Sequence, residues 1–312
     1  MSMKLFENID TSASPFSHTA KLLSFVLAIL FMVSTFMLIR VPESVKGYIY
    51  GVFREVARAQ MLLRTHGWQH IEDDYLIIRY QGDKEEAKLV HETARLFFQR
   101  ICNDFGFSPE QKIPIMVYST KEELNASFGW PASENAMGVY WGGVIRVLAP
   151  QAWINDRDPD TMRQIFQQSG PMVHEMTHLV LDYEARGNYP RWFTEGLAQY
   201  EEYKITSFMF EQQDEIWEQG LYPLKKMDRK FDSLIDQTLA YRQSFSVVEY
   251  IVAVYGEDGL HRIISNLARG LNFHESMIEA LGTTPEQLEI QWHAWLSREL
   301  QQPLYIKRED QA

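Results

Sequence analysis

Two histidines and a glutamate stand together in the segment His-Glu-Met-Thr-His at residues 174–178. Histidines four residues apart lie one turn apart on the same face of a helix, so both imidazoles can reach one metal ion. Glu175 follows the first histidine directly and would face a water molecule held on that metal. The spacing therefore predicts a zinc site with a general base beside it.

A second acidic residue supplies a third ligand. Glu195 lies in the segment Trp-Phe-Thr-Glu-Gly-Leu-Ala at residues 192–198. A catalytic zinc site takes three protein ligands and leaves a fourth position for water, so we expect His174, His178 and Glu195 to bind one Zn²⁺ ion. Gly196 would remove a side chain where two helices must approach closely around the metal.

Together the two segments resemble the gluzincin zinc metallopeptidases, and more closely the bacterial, membrane-anchored proteins with a peptidase-MA-like domain. The shared pattern is a His-Glu-x-x-His helix followed by a Trp-x-x-Glu-Gly-x-Ala helix, and the match is specific over residues 136–202. The resemblance implies an α+β, thermolysin-like (zincin) architecture and hydrolysis of peptide bonds, most simply by an endopeptidase. Zinc would lower the pKa of its water and polarise the scissile carbonyl, while Glu175 moves the proton to the leaving amine.

One departure from thermolysin concerns the carboxylate that hydrogen-bonds a zinc histidine. Gln199 stands where thermolysin has an aspartate, so this carboxylate is missing or comes from elsewhere. Glu201 and Glu202 are candidates. The alternative is that both glutamates belong to an exposed acidic face.

The oxyanion that develops during hydrolysis needs a hydrogen-bond donor besides the metal. In gluzincin aminopeptidases a tyrosine from a later helix has this role, and the resemblance suggests Tyr241 as a catalytic residue here, with Arg242 as a lesser candidate. The alternative is that Tyr241 only packs a helix. Aminopeptidase activity is not indicated, because Asn-Ala-Met-Gly at residues 135–138 resembles the Gly-Ala-Met-Glu-Asn signature only faintly.

Hydrophobic periodicity predicts the elements that must position these residues. The zinc helices are expected at 171–184 and 192–203, and glycines separate a series of later helices. A small mixed or antiparallel sheet is expected from strands at 75–80 and 113–118 and a hairpin at 136–148. The hairpin either forms the edge on which a substrate peptide pairs or is an ordinary core hairpin. Further helices are expected at 84–104, 121–128, 207–218, 239–255, 258–269, 273–281 and 285–300.

The N-terminal region contains eighteen uncharged residues, 22–39, which is just enough for a helix that spans a lipid bilayer. No cleavage signal follows, so we expect a single-pass signal anchor. The positive-inside rule would leave the catalytic part in the cytoplasm. The short tail ahead of the apolar segment is instead typical of export, so we expect an extracytoplasmic catalytic domain. The basic residues counted for the positive-inside rule are Lys4 and Lys21 on one side and Arg40, Lys46, Arg54 and Arg58 on the other.

The expected domain order has six parts. These are a tail at 1–20, the transmembrane anchor at 21–41, an amphipathic stalk or membrane-surface helix at 42–70, an α+β zincin catalytic subdomain at 71–203, a helical C-terminal subdomain at 204–302 and a tail at 303–312.

Composition limits the remaining classes of function. A net charge of -12 excludes nucleic acid as an expected partner, since phosphate binding needs a basic face. The single cysteine, Cys102, allows no internal disulfide and lies in an apolar helical context. Two alternatives to a peptidase stay open: a zinc hydrolase that acts on another bond, and a non-catalytic binding protein on a peptidase fold.

Overall fold

The computed structural model describes residues 23–27, 29, 43–209, 217, 220–301 and 304. Glu43–Ala312 forms one compact unit, and Met1–Pro42 is a second. Most of the predicted membrane segment, residues 22–39, lies outside the described residues. Within the described part of the chain, no helix is both long enough and apolar enough to cross a bilayer.

A five-stranded mixed sheet lies within residues 69–148 of the larger unit, which confirms the predicted α+β class. The strands are β1 (Gln69–Glu72), β2 (Leu76–Tyr80), β3 (Ile113–Tyr118), β4 (Gly138–Trp141) and β5 (Val144–Leu148). Their spatial order is β1-β2-β3-β5-β4. The three central strands run parallel, and the two edge strands pair antiparallel to their neighbours. The hairpin predicted at 136–148 therefore supplies both the edge strand β4 and the buried strand β5.

Ten α-helices accompany the sheet within residues 43–209 and 220–301. They are α1 (Glu43–Arg64), α2 (Lys84–Phe105), α3 (Lys121–Ala126), α4 (Pro159–Ser169), α5 (Met172–Ala185), α6 (Arg191–Thr206), α7 (Leu224–Lys230), α8 (Gln237–Ala268), α9 (Phe273–Leu281) and α10 (Pro285–Glu299). Those that were predicted begin and end within a few residues of the expected bounds. The helices expected at 239–255 and 258–269 are the two arms of α8, which bends at Gly256 with φ 72°.

Three short elements have no counterpart in the sequence prediction: β1, α4 and α7. β1 and α7 have only four and seven residues, too few for a clear hydrophobic period. Helix α4 has eleven residues and begins at a proline after Asp158, so its start signal was present in the sequence and was missed. The helix expected at about 207–218 falls largely outside the described residues.

Helix α5 lies between two hydrophobic clusters. Met176, Leu179 and Val180 pack with the sheet and with α2, whereas Leu181 and Ala185 pack with the C-terminal helices. All five side chains are at most 1% exposed. Because α5 is held from both sides, the polar residues that it carries between these apolar positions are fixed in place.

Helices α6 and α8 touch at Gly196, as the sequence predicts for this glycine. A Cβ atom at this position would lie 2.3 Å from the backbone oxygen of Ser244 on α8. Only glycine allows the two backbones to approach this closely.

Candidate metal centre

Helices α5 and α6 bring His174, His178 and Glu195 together. The Oε2 atom of Glu195 lies 3.3 Å from Nε2 of His174 and 3.6 Å from Nε2 of His178. The candidate ligand atoms of the three residues all lie within 4.8 Å of one another. The spacing read from the sequence therefore corresponds to a real cluster.

The two separations that involve Glu195 are compatible with a zinc ion. Two ligand atoms bound at about 2.0 to 2.1 Å to one tetrahedral zinc lie roughly 3.3 Å apart. The separations of 3.3 and 3.6 Å between Glu195 and the two imidazoles are close to that value. Two imidazoles and one carboxylate are also a donor set that zinc accepts in catalytic sites.

Both imidazoles are oriented through their second nitrogen. Nδ1 of His178 lies 2.6 Å from Oγ1 of Thr194. Nδ1 of His174 lies 3.5 Å from Oε2 of Glu202. When Nδ1 donates its proton to such an oxygen, Nε2 keeps the lone pair that a metal needs.

The sequence offered Glu201 and Glu202 as the carboxylate that contacts one of the two histidines. In the structure this carboxylate is Glu202. Glu201 instead lies 3.4 Å from Nζ of Lys204. The alternative of an exposed acidic face is wrong, since Glu201 and Glu202 are only 2% and 8% exposed. Gln199, at the place of the thermolysin aspartate, donates to the backbone oxygens of Glu195 and Tyr241 at 3.1 and 2.9 Å.

The charges in the cluster favour a bound cation. Burial by itself would raise the pKa of Glu195, but His178, His174 and Arg191 together hold it well below its usual range. Burial would lower the pKa of His174, yet its contacts with Glu195 and Glu202 raise it well above the usual value. Two carboxylates thus stabilise positive charge on the His174 imidazole, and a metal ion would provide that charge in place of a proton.

Arg191 holds the second oxygen of Glu195. Its Nη1 atom lies 2.8 Å from Oε1, so Oε2 is the oxygen left to face the histidines. A carboxylate fixed in this way presents one oxygen, rather than two, to a metal.

Glu175 is fixed by the edge strand of the sheet. The backbone N–H of Tyr140 on β4 donates to Oε2 of Glu175 at 2.6 Å. Gly138 permits this contact, because a Cβ atom there would lie 2.6 Å from Cβ of Pro171 and 3.0 Å from Cγ of Glu175. Burial raises the pKa of the Glu175 carboxyl, against the effect of the neighbouring histidines.

A buried carboxylate on α5 connects this region to α1. Asp182 is fully buried and accepts hydrogen bonds from the hydroxyls of Tyr50 and Tyr140, each at 2.6 Å. The hydroxyl of Tyr189 lies at 3.1 Å, and Nη1 of Arg54 lies at 3.2 Å. Tyr140 therefore contacts α5 twice, through its N–H at Glu175 and through its hydroxyl at Asp182.

A cavity of about 450 Å³ opens over the cluster. His174, Glu175, His178 and Glu195 line it, together with Gly138 and Tyr140 of β4 and with Tyr241 of α8. Burial and the carboxylates of Glu195 and Glu175 raise the pKa of Tyr241, so its hydroxyl keeps its proton. Arg242, the lesser candidate, turns its guanidinium toward the rings of Trp217 and Phe245 at 5.8 and 5.6 Å.

Four residues of this region do not appear among the predicted site residues: Tyr140, Asp182, Arg191 and Thr194. Asp182 carried a detectable signal, because it follows His178 by four residues and continues the polar stripe of α5. Arg191 is four residues ahead of Glu195 and so lies on the same face of α6. Thr194 directly precedes Glu195, about 100° around the helix, and its contact with His178 had no signal in the spacing. Nothing in the sequence pointed to Tyr140, because its contacts with Glu175 and Asp182 depend on the position of β4 beside α5.

Comparison with known proteins gives a family for the chain. A search of the curated proteins finds no match. The sequence model of the Peptidase MA superfamily matches residues 93–298, a range that contains β3, β4, β5, both helices of the cluster and Tyr241. The protein therefore belongs to the Peptidase MA superfamily and has the fold of a peptidase-like hydrolase.

Proposed function

We propose that this protein is a zinc-dependent endopeptidase of the gluzincin type, with His174, His178 and Glu195 as ligands of one Zn²⁺ ion. The observation that carries the proposal is the convergence of the two Nε2 atoms on Oε2 of Glu195, at 3.3 and 3.6 Å. Glu175 lies in the same cavity and is fixed by a backbone donor. A thermolysin-like arrangement of the catalytic helices is part of this proposal.

Each residue of the cavity has a defined task in this proposal. Zinc, when bound, would supply a Lewis acid that lowers the pKa of a water molecule and polarises the scissile carbonyl. Glu175 accepts the proton of the attacking water and delivers it to the leaving amine. The Tyr241 hydroxyl, protonated in its buried position, donates a hydrogen bond to the oxyanion.

Strand β4 is the proposed binding edge for the substrate backbone. The oxygen of Met137 accepts from the N–H of Leu148 at the end of β5, and antiparallel pairing alternates from one residue to the next. Val139 therefore faces β5, whereas Gly138 and Tyr140 direct their backbone groups away from it. Glu175 already accepts from the N–H of Tyr140, so an extended peptide could pair with the Gly138 N–H and C=O and with the Tyr140 C=O.

We also propose that residues 22–39 anchor the protein in a membrane, as in the bacterial proteins that it resembles, with the catalytic unit extracytoplasmic. The positive-inside rule favours the opposite orientation, because it counts Arg40, Lys46, Arg54 and Arg58 after the segment against Lys4 and Lys21 before it, whatever they contact in the folded unit. The proposed orientation follows instead the layout of the bacterial proteins that the chain resembles.

The experiment that tests the catalytic proposal compares the wild type with Glu175→Gln. Both proteins are purified, their zinc content is measured by mass spectrometry, and their cleavage of a peptide library is recorded. We expect one zinc ion per chain in both, and cleavage by the wild type alone. Folded protein that binds no zinc, or equal cleavage by both proteins, would refute the proposal.

A further inference from the structure

Seven large apolar side chains run along the outward face of α1, and we call them the apolar stripe. They are Val45, Tyr48, Ile49, Val52, Phe53, Val56 and Leu63. Each side chain is between 44 and 76% exposed. They recur about once per turn, at positions 45, 48/49, 52/53 and 56, and again two turns later at 63, so they lie on one side of the helix. Soluble proteins rarely leave a contiguous apolar surface of this kind in water unless it binds something.

Two arginines on the opposite side of α1 from the stripe point inward. Arg54 is 9% exposed, and its Nη1 atom donates to the Asp182 carboxylate at 3.2 Å. Arg58, also 9% exposed, donates to Oε1 of Gln111 at 2.5 Å and to the backbone oxygen of Lys112 at 2.8 Å. Rotation of α1 to bury the apolar stripe would break these contacts and leave Asp182 without its cation. The stripe can therefore be covered only from outside the folded unit.

Trp141 extends the apolar stripe to the candidate active site. Its ring is 47% exposed and packs edge-on against Phe53, with 5.8 Å between ring centroids. The turn after it is tight against α1, since a Cβ atom on Gly142 would lie 3.0 Å from Cβ of Ala57. Trp141 ends strand β4, and Gly138 at the other end of this strand lines the cavity.

We propose that the apolar stripe and Trp141 lie in the interfacial layer of a lipid bilayer. Only three residues separate the uncharged segment 22–39 from Glu43, so a membrane-inserted segment would leave α1 at the bilayer surface. The stripe itself carries no charge, and Tyr48 and Trp141 have the amphipathic rings that favour this layer.

This placement also defines a class of substrate, and that part rests on the proposed peptidase function. Strand β4 would lie at the membrane surface through Trp141. A peptide that pairs with β4 must then come from a segment close to the bilayer, such as the region next to a membrane span. Lipid contact of the stripe itself requires no catalysis.

The test uses the full chain in phosphatidylcholine vesicles, with a fluorescent NBD group on a cysteine introduced by Val52→Cys. Cys102 stays unlabelled, because it is buried and burial raises the pKa of its thiol to about 12. The matched control is Ile290→Cys, an apolar residue on α10 that is 69% exposed and outside the stripe. We expect nitroxide-labelled lipids to quench the probe at 52 at least about fivefold more than at 290. Iodide in the water should quench the probe at 290 more strongly.

Three outcomes would overturn the proposal. The first is equal quenching of both probes by iodide, which would mean that the apolar stripe faces water. The second is protection of the probe at 52 from both quenchers, which would mean that protein covers it, either another segment of this chain or a second copy. The third is a full chain that does not float with the vesicles. Repeating the measurement in Glu175→Gln separates failure of this proposal from failure of the peptidase proposal, because the readout needs no hydrolysis.

Discussion

The backbone N–H of Tyr140 donates to the carboxylate of Glu175 at 2.6 Å, and the hydroxyl of the same tyrosine donates to Asp182 at 2.6 Å. One residue of the edge strand therefore joins the proposed general base to a buried carboxylate seven residues further along α5. Asp182 also binds Arg54 of α1. Tyr140 and Asp182 together therefore connect the helix of the two histidines, the proposed substrate edge and α1.

Replacement of Gly138 tests the contact between β4 and α5. In Gly138→Ala the new Cβ would lie 2.6 Å from Cβ of Pro171, so β4 must move away from Glu175. We expect this movement of β4 away from the proposed general base to lower kcat/KM about 10- to 100-fold. Steady-state kinetics measures this, and zinc content should stay unchanged. The control is Gly51→Ala, where the added Cβ meets nothing within 4 Å; an equal loss there would contradict the explanation.

The carboxylate of Glu202 should strengthen metal binding through His174. We expect Glu202→Gln to weaken zinc affinity about 10- to 100-fold, since a neutral amide supports the imidazole less well. Competition with a chelator at constant pH measures the affinity. Glu201→Gln is the matched control, because Glu201 pairs with Lys204 rather than with His174. Equal affinities of the two variants would show that Glu202 has no such role.

The two roles considered for Tyr241 predict different kinetics. If its hydroxyl stabilises the oxyanion, Tyr241→Phe lowers kcat about 100- to 1000-fold and leaves zinc binding intact. The control is Tyr250→Phe on the same helix, whose hydroxyl lies 3.4 Å from Gln291. A kcat within about twofold of the wild type for both variants would assign Tyr241 to packing alone.

The charge of Asp182 should contribute strongly to folding stability. Asp182→Asn leaves Arg54 buried without a full counter-charge, and we expect a loss of about 3 kcal/mol in the free energy of unfolding. Equilibrium unfolding in urea measures this loss. Tyr189→Phe removes only one hydrogen bond of 3.1 Å to the same carboxylate and should cost about 1 kcal/mol. Similar losses in the two variants would mean that the ion pair adds nothing beyond a neutral hydrogen bond.

Glu201 should make the stability of the protein depend on pH. Burial, opposed by Lys204, raises the pKa of Glu201 from 4.5 to about 7. Between these two values the folded state holds a proton that the unfolded state has lost, so stability falls as pH rises and is lowest above pH 7. Lys204 also contacts Asp104 at 3.2 Å and Glu257 at 2.9 Å, and it therefore keeps counter-charges when Glu201 is replaced.

Glu201→Gln removes the group that titrates. We expect the variant to be more stable than the wild type by about 3 kcal/mol at pH 8, and about equally stable at pH 4, below both pKa values. Thermal unfolding at the two pH values measures the difference. A difference that is the same at both pH values would contradict the assignment of this pH dependence to Glu201.

The sequence by itself determined the parts of the molecule that depend on neighbours along one helix. The spacing of His174 and His178 and the position of Glu195 predicted a cluster that the structure brings together. The strand at 113–118 and the helix at 273–281 have the predicted bounds. Such features follow from the repeat of 3.6 or 2 residues, which is a property of the local chain.

Only the tertiary structure decided which surfaces meet. It placed Glu202 rather than Glu201 beside His174, because the two glutamates lie about 100° apart around α6. It turned Arg54 inward to Asp182 and left Val52 exposed on the opposite side of α1. It also brought β4 against α5 so that Tyr140 reaches Glu175. These contacts join residues that are far apart in the chain, and no local period carries information about them.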